Sequence, residues 1–255
     1  MFQPLFRDDA YAVHLCEYEA GHTMRPHEHA VSALSVVLEG HVWERVRRTE
    51  EIGGPFSLVM KPAGVVHENR FGPRGSRLLQ VAMAPDVLEA VRMRGWAWGH
   101  GSSLALPVAH LVAAARRAAA GDDAAGDLDD ALGALAEAAG APYSVGGGPP
   151  RWLRGVRERL HDEAADAPSV AALAEMAGVH RVTLARAFRQ HLGCSTTGYL
   201  RRLRVNAAAA VLATTDTPIA HVALDVGFAD QSHLTRAMKA AVGTTPARFR
   251  AEAGR

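Results

Sequence analysis

The basic half of the chain contains an internal repeat, and no other feature constrains the fold as tightly. One copy, SVAALAEMAGVHRVTLARAFRQHLGCSTTGYLR, starts at Ser169; the other, PIAHVALDVGFADQSHLTRAMKAAVGTTPARFR, starts at Pro218. Ala174 and Gly178 recur as Ala223 and Gly227 at a spacing of 49 residues. Leu184, Arg186, Phe188, Gly193 and Tyr199 recur as Leu234, Arg236, Met238, Gly243 and Phe249 at a spacing of 50, so the second copy has one extra residue just after its glycine. Each copy reads as a short helix closed by a glycine, which can take the left-handed turn that ends a helix. The alanine four positions earlier leaves room for a second helix to pack closely. That is a helix-turn-helix, whose second helix can lie in the major groove of DNA. One such pattern is no more than a helical hairpin. Two in a single basic segment point to a tandem DNA-binding domain.

The segment between the copies, TTGYLRRLRVNAAAAVLAT (196–214), predicts one long helix. Leu200, Leu203, Ala207 and Val211 sit at helical spacing and are expected to bind the two units together. A rigid helix there would hold the units about one turn of B-DNA (~34 Å) apart, so that one chain reads an asymmetric site.

Charge divides the same way. The formal net charge is only +1, but residues 1–150 carry 13 Lys/Arg against 18 Asp/Glu while residues 151–255 carry 15 against 9. Fourteen of those 15 cations are arginine, whose fork suits phosphate and guanine edges. A mildly acidic half joined to a basic one predicts that the second half meets a polyanion. The boundary is APYSVGGGPP, residues 141–150, where three glycines and three prolines resist both helix and strand. We therefore expect three parts: 1–140, a linker at 141–150, and 151–255.

Residues 12–83 read as β. AVHLCEYEA, ALSVVLEG, HVWERVRR, FSLVMK and RLLQVAMA are short apolar runs punctuated by GGP at 53–55, PAG at 62–64 and FGPRG at 71–75. This spacing predicts a sandwich or barrel. From Asp86 the period becomes helical, through DVLEAVRMRGW, PVAHLVAAARRAAA and DLDDALGALAEAA. The last two either cover the barrel or pack on a second copy; we expect a dimer contact, hence a homodimer. The fold class is thus α+β with two domains.

Cys16 and Cys194 are isolated, so neither a disulfide framework nor a cysteine-based zinc site is expected. No signal peptide and no bilayer-spanning run is apparent, and a cytoplasmic protein is expected, with no membrane partner. In the β half, His27 and His29 lie two apart, a spacing that puts both rings on one face of a strand.

Two resemblances follow from these residues. Gly227-Phe228, Asp230, Ser232-His233, Arg236, Lys239, Gly243, Pro246 and Phe249-Arg250 form a spaced set that resembles the AraC/XylS family of transcription regulators, over about residues 151–250. Leu234 and Met238 stand where that family usually has Phe, and both keep the position apolar. The resemblance implies double-stranded DNA as partner. The first recognition helix then opens near His180, with Arg181, Thr183, Arg186 and Arg189 as DNA-contacting candidates. In the second unit Asp230, Gln231, Ser232, His233, Arg236 and Lys239 are candidates. Asp230 is equally suited to capping its helix. The paired Arg186 and Arg236 are equally suited to a structural role. Arg201, Arg202 and Arg204 are expected to touch phosphate or nothing.

In the first half, Gly21, five residues, His27-Glu28-His29, then a strand ending at Gly40, with Pro62-Ala63-Gly64, two residues and His67, resemble the two cupin motifs. That resemblance implies a barrel with a metal inside it, held by histidines and a glutamate. Here the glutamate position, four after His29, is Ala33. His27, His29 and His67 remain as a three-histidine set with an open position, sufficient for zinc or a similar divalent ion. His22 and His41 are possible extra ligands that nothing in the spacing favours. The alternative is a pocket for a small organic effector with no metal.

The function these features predict is a DNA-binding transcription regulator, activator or repressor, whose cupin-like domain senses a small molecule or metal; it is not expected to be an enzyme. The alternatives are a cupin metalloenzyme of dioxygenase or isomerase type fused to a DNA-binding module, and an alkyl-transfer repair protein. The missing glutamate argues against the first, and the isolated cysteines against the second.

Overall fold

A computed structural model describes residues 1–90, 95–122, 125–139 and 149–253. Eight antiparallel strands come first: β1 (Phe2–Arg7), β2 (Tyr11–Tyr18), β3 (Thr23–His27), β4 (Ala33–Val46), β5 (Thr49–Gly53), β6 (Leu58–Lys61), β7 (His67–Met83) and β8 (Ala97–Gly99), with α1 (Pro85–Ala90) before β8. Two long strands organise them. The first part of β4 and the last part of β7 pair in a sheet ordered β1-β2-β7-β4-β6-β8; their other ends pair with β5 and β3. The sheet therefore folds over on itself as a half-open barrel.

Gly40 was expected to end a strand, and FGPRG at 71–75 to interrupt one. Instead β4 and β7 run through both, with register shifts at 37/39 and 40/42 that bend the pair. At Gly40, with φ of +70°, a Cβ would lie 2.1 Å from the Gly75 carbonyl oxygen. The bend thus needs a residue without a side chain.

The barrel wall is used on both faces. His14, Cys16, Ser35, Leu78 and Gln80 line an interior cavity. The alternate residues Val13, Leu34, Val36, Leu79 and Val81 belong to the main apolar core outside it. This two-sided burial is why ALSVVL reads as an unbroken apolar run. That outer face is covered by α2 (Ala105–Ala120) and α3 (Ala125–Ala139). The residues of α2 expected to meet a second copy are spent inside the chain: Val108, Leu111, Val112 and Ala115 are all buried in this core. The apolarity of α2 therefore has an intrachain cause.

The expected linker, apart from Pro149 and Pro150, lies outside the described residues. The second half is helical: α4 (Arg151–Asp162), α5 (Val170–Met176), α6 (Arg181–Leu192), α7 (Thr196–Thr214), α8 (Ile219–Asp225), α9 (Gln231–Val242) and α10 (Pro246–Ala253). The repeat resolves into α5–α6 and α8–α9. Gly227, with φ of +89°, ends α8 where a Cβ would strike the Ala165 carbonyl oxygen at 2.3 Å, so both backbone angle and packing demand glycine.

The 19 residues of α7 extend about 28 Å at 1.5 Å per residue. This helix does join the units, and the expected stripe takes part: Leu200 packs on the core of the first unit and Ala207 and Val211 on that of the second. Tyr199 and Leu203 enter the core of the first unit, and Val205, Ala208, Ala209 and Leu212 that of the second. Leu203, Ala207 and Val211 also line a cleft of about 410 Å³ against Leu38, Gly40 and Phe56 of the barrel. Among the described residues no helix is long and apolar enough to cross a membrane.

Candidate nucleic-acid interface and histidine pocket

Helices α6 and α9 bury equivalent residues. Leu184, Ala187 and Phe188 face inward in one, Leu234, Ala237 and Met238 in the other. The opposite faces are open: Arg181, Arg186 and Arg189 are exposed on α6, and Gln231, Ser232, His233, Arg236 and Lys239 on α9, with Thr183 half-buried. None of Arg181, Arg186, Arg189, Arg236 and Lys239 forms an ion pair or a side-chain hydrogen bond among the described residues. The structural role considered for the repeated Arg186 and Arg236 has no partner to support it. Asp230 does cap α9, its carboxylate accepting from the His233 amide at 2.7 Å. His180 caps α6 more weakly, Nδ1 accepting from the Val182 amide at 3.3 Å.

On the joining helix, Arg204 is structural rather than free for phosphate. Its guanidinium donates to the Ala164 and Ala165 carbonyls at 2.7 and 3.1 Å, holding the turn against which Gly227 packs. Arg202 lies 5.0 Å from the Tyr199 ring, and Arg201 is exposed.

Arg154 and Arg157 of α4 behave differently, forming a polar seam with the barrel. Arg157 is buried and donates to Glu51, to the Ile52 carbonyl at 3.1 Å and to the Tyr199 hydroxyl at 3.3 Å. Arg154 pairs with Glu50 at 2.9 Å and lies 5.8 Å from the Trp43 ring; Glu158 pairs with Arg70. His161 Nε2 meets the Tyr199 hydroxyl at 2.9 Å. His41, considered as a metal ligand, sits in this seam instead, 3.5 Å from Asp162. Burial holds His161 well below the usual imidazole range and brings His41 and His100 down to about 4, so all three are neutral at pH 7. The sequence carries no sign of this seam, because Glu51 and Arg157 are 106 residues apart.

Inside the barrel, His27 ends β3 opposite His67 at the start of β7, and His29 follows two residues later. The three rings converge with centroids 4.3–5.1 Å apart, and one ligand atom from each lies within 4.8 Å of the others. His27 Nδ1 donates to the Arg25 carbonyl at 2.8 Å and His67 Nδ1 to the Val65 carbonyl at 3.0 Å, in the tautomers that leave each Nε2 as an acceptor. This is the outer support a metal-binding imidazole needs. His67 Nε2 is buried and unpartnered. Burial lowers His29 and, despite the Val65 hydrogen bond, takes His67 down to about 3, so these imidazoles are neutral, as ligands must be. The residues therefore fit a divalent ion. Glu28 is exposed and His22 lies near Tyr18 and Phe71, outside the trio.

A cavity of about 370 Å³ continues inward from the histidines, between Met24, Phe71 and Leu78 on one side and Ser35, Lys61, Asn69 and Gln80 on the other. Lys61, beside Ala33 in the strand register, pairs with buried Glu44 at 2.8 Å, and Asn69 donates to the same carboxylate oxygen at 2.6 Å. The other oxygen, Glu44 Oε2, is buried without a partner. The position four after His29 thus carries only the methyl of Ala33, while a lysine–glutamate pair from β6 and β4 supplies polarity nearby. Glu44 was detectable in principle, since it shares strand phase with buried Val42; Lys61 and Asn69 needed the register.

Residues 173–252 match the family described as "Helix-turn-helix domain". The arabinose operon regulatory protein of Escherichia coli is 34% identical over 100 residues, 39% of this chain and 34% of its own length. A putative AraC-like transcription regulator of Streptomyces antibioticus is 34% identical over 107 residues, 39% of this chain and 35% of its own. The matched segment spans about a third of the curated relatives. A cupin superfamily protein from Desulfitobacterium hafniense has a TM-score of 0.30 at 19% identity, over 32% of this chain and 75% of its own; the barrel is defined here by its strand pairing alone. Over residues 173–252 the chain is thus similar to a helix-turn-helix domain and to a segment of regulators that include an AraC-like one.

Proposed function

We propose that the chain is a one-component, sequence-specific transcription regulator that acts in the cytoplasm and is not an enzyme. One observation carries the reading: among the described residues, five cations stand without carboxylate partners on the matching exposed faces of α6 and α9, while Arg154, Arg157 and Arg159 of α4 are paired. Unpaired arginine on a recognition helix is free to bind phosphate or guanine. Arg181, Thr183, Arg186 and Arg189 would meet one major-groove segment, and Gln231, Ser232, His233, Arg236 and Lys239 the next.

The barrel is the sensor in this proposal. His27, His29 and His67 would hold one divalent ion such as zinc, whose open position would bind an anionic or hydroxyl group of an effector. Glu44 and Trp43 are neighbours on β4 and face opposite ways. The first reaches Lys61 and Asn69 by the cavity, and the second lies against Arg154 of α4. An occupant that moves Glu44 thereby favours one setting of the first unit over another, which is the differential binding a population shift requires.

The test is selection of sites from random duplex DNA, followed by affinity measured against salt. A discrete site with steep salt dependence is expected. No preferred sequence would overturn the regulator. Metal analysis of purified protein beside a His27→Ala, His67→Ala variant tests the sensor: near-stoichiometric metal lost in the variant is expected, and none in either would leave an organic ligand as the occupant.

A further inference from the structure

The Val182 side chain packs on neither core of the helical half. It is 64% exposed, the one large apolar side chain exposed on α6 or α9 among the described residues. Its neighbours Val179 and Leu192 pack on the core of the first unit, and Val182 does not. A β-branched residue gains nothing in helix propensity there. It sits in the first turn of α6, the part of a recognition helix that reaches base edges. Arg186 and Arg189 follow it on the same stripe, four and seven residues on.

In the major groove the base feature that an exposed apolar side chain can recognise is the 5-methyl group of thymine. We propose that Val182 reads the 5-methyl of one thymine within the segment bound by the first unit. The equivalent position of the second unit is Ser232, a hydroxyl that suits hydrogen bonding instead. The two units thus differ in kind of readout at the same structural place. This rests on the DNA-binding reading above.

The experiment uses the full chain and its selected site, replacing each thymine singly with deoxyuridine, which lacks only the methyl. One thymine in the first unit's segment should show about four-fold weaker binding, the size of losing one buried methyl-sized group at about 0.8 kcal/mol. Val182→Ala should bind the thymine and uracil forms of that position alike, whereas Ser232→Ala should keep the discrimination. Because Val182 is exposed, the alanine variant should melt like the parent. Sensitivity that survives in Val182→Ala, or is absent from the parent at every thymine, overturns the assignment while the regulator stands. A selection that returns no site overturns both.

Discussion

The two helix-turn-helix units share a sequence pattern and differ in what they are attached to. The first has a core of its own: Leu153, Val156 and Leu160 of α4 pack with Leu173, Leu184, Phe188 and Tyr199. Its link to the barrel is the polar seam of Arg154, Arg157, Glu158 and His161. The second unit shares one continuous apolar core with the barrel wall and α2–α3, in which Val222, Phe228, Leu234 and Phe249 join Leu111, Leu132 and Val81. A repeat does not make equivalent domains. Apolar attachment is non-directional and roughly proportional to area, whereas a seam of charges depends on partners, salt and pH. The second unit is therefore built as one body with the barrel, and the first as a body docked on it.

The largest effect that would break this comparison comes from the cores. Leu184 and Leu234 are equivalent and both fully buried. Truncation of either to alanine should cost about 2–5 kcal/mol. Leu234→Ala should destabilise the barrel and second unit together. Leu184→Ala should leave hydrogen exchange in β4, β7 and α2 unchanged. Equal loosening of the barrel by both variants would mean one cooperative body rather than two.

Next in size is Arg157→Ala. It removes a buried guanidinium from Glu51, Ile52 and Tyr199, and hydrogen bonds to a charged group are worth about 1.5–3 kcal/mol. Hydrogen exchange should speed up in α4–α6 and stay as it was in α9. Uniform change across both units would contradict a seam confined to the first.

The mildest effect is graded with pH. His41 and His161 are neutral in the docked seam, with His41 brought down to about 4 from 6.5, so protonation favours the undocked state between those values. Docking is then complete above about pH 6.5 and weakens as pH falls towards 4. The groups facing His161 are His41, Arg157, His100, Arg202 and Tyr199, and Asp162 faces His41. Asp162 would recover part of the loss once His41 is charged. His161→Gln, which can still hydrogen-bond Tyr199, should flatten the pH dependence of α4 protection. An unchanged profile would remove His161 from the seam's titration.

What the sequence determined by itself was local and periodic. The repeat placed α5–α6 and α8–α9, and helical spacing gave α7 its limits at 196–214. The inward leucines and outward arginines of the recognition helices follow from the same period. His27 and His29 were legible from their two-residue spacing and His67 from the motif that its Pro62-Ala63-Gly64 stretch resembles, while the pairing of β3 with β7 sets His67 opposite His27 across 40 residues. Tertiary structure alone decided how α2, β4 and α7 were used. Gly40 and the FGPRG stretch look like strand ends, yet the pairing of two long strands turns them into bends, because a ladder can absorb a bulge that a local pattern reads as a break. The apolar face of α2 names no partner, since burial is non-directional, and only the packing shows that it lies inside the chain. The Arg157–Glu51–Tyr199 seam and the Lys61–Glu44–Asn69 cluster join residues far apart in sequence. Charges in a sequence carry no address; the fold supplies the partners that make one arginine structural and leave another unpaired at the surface.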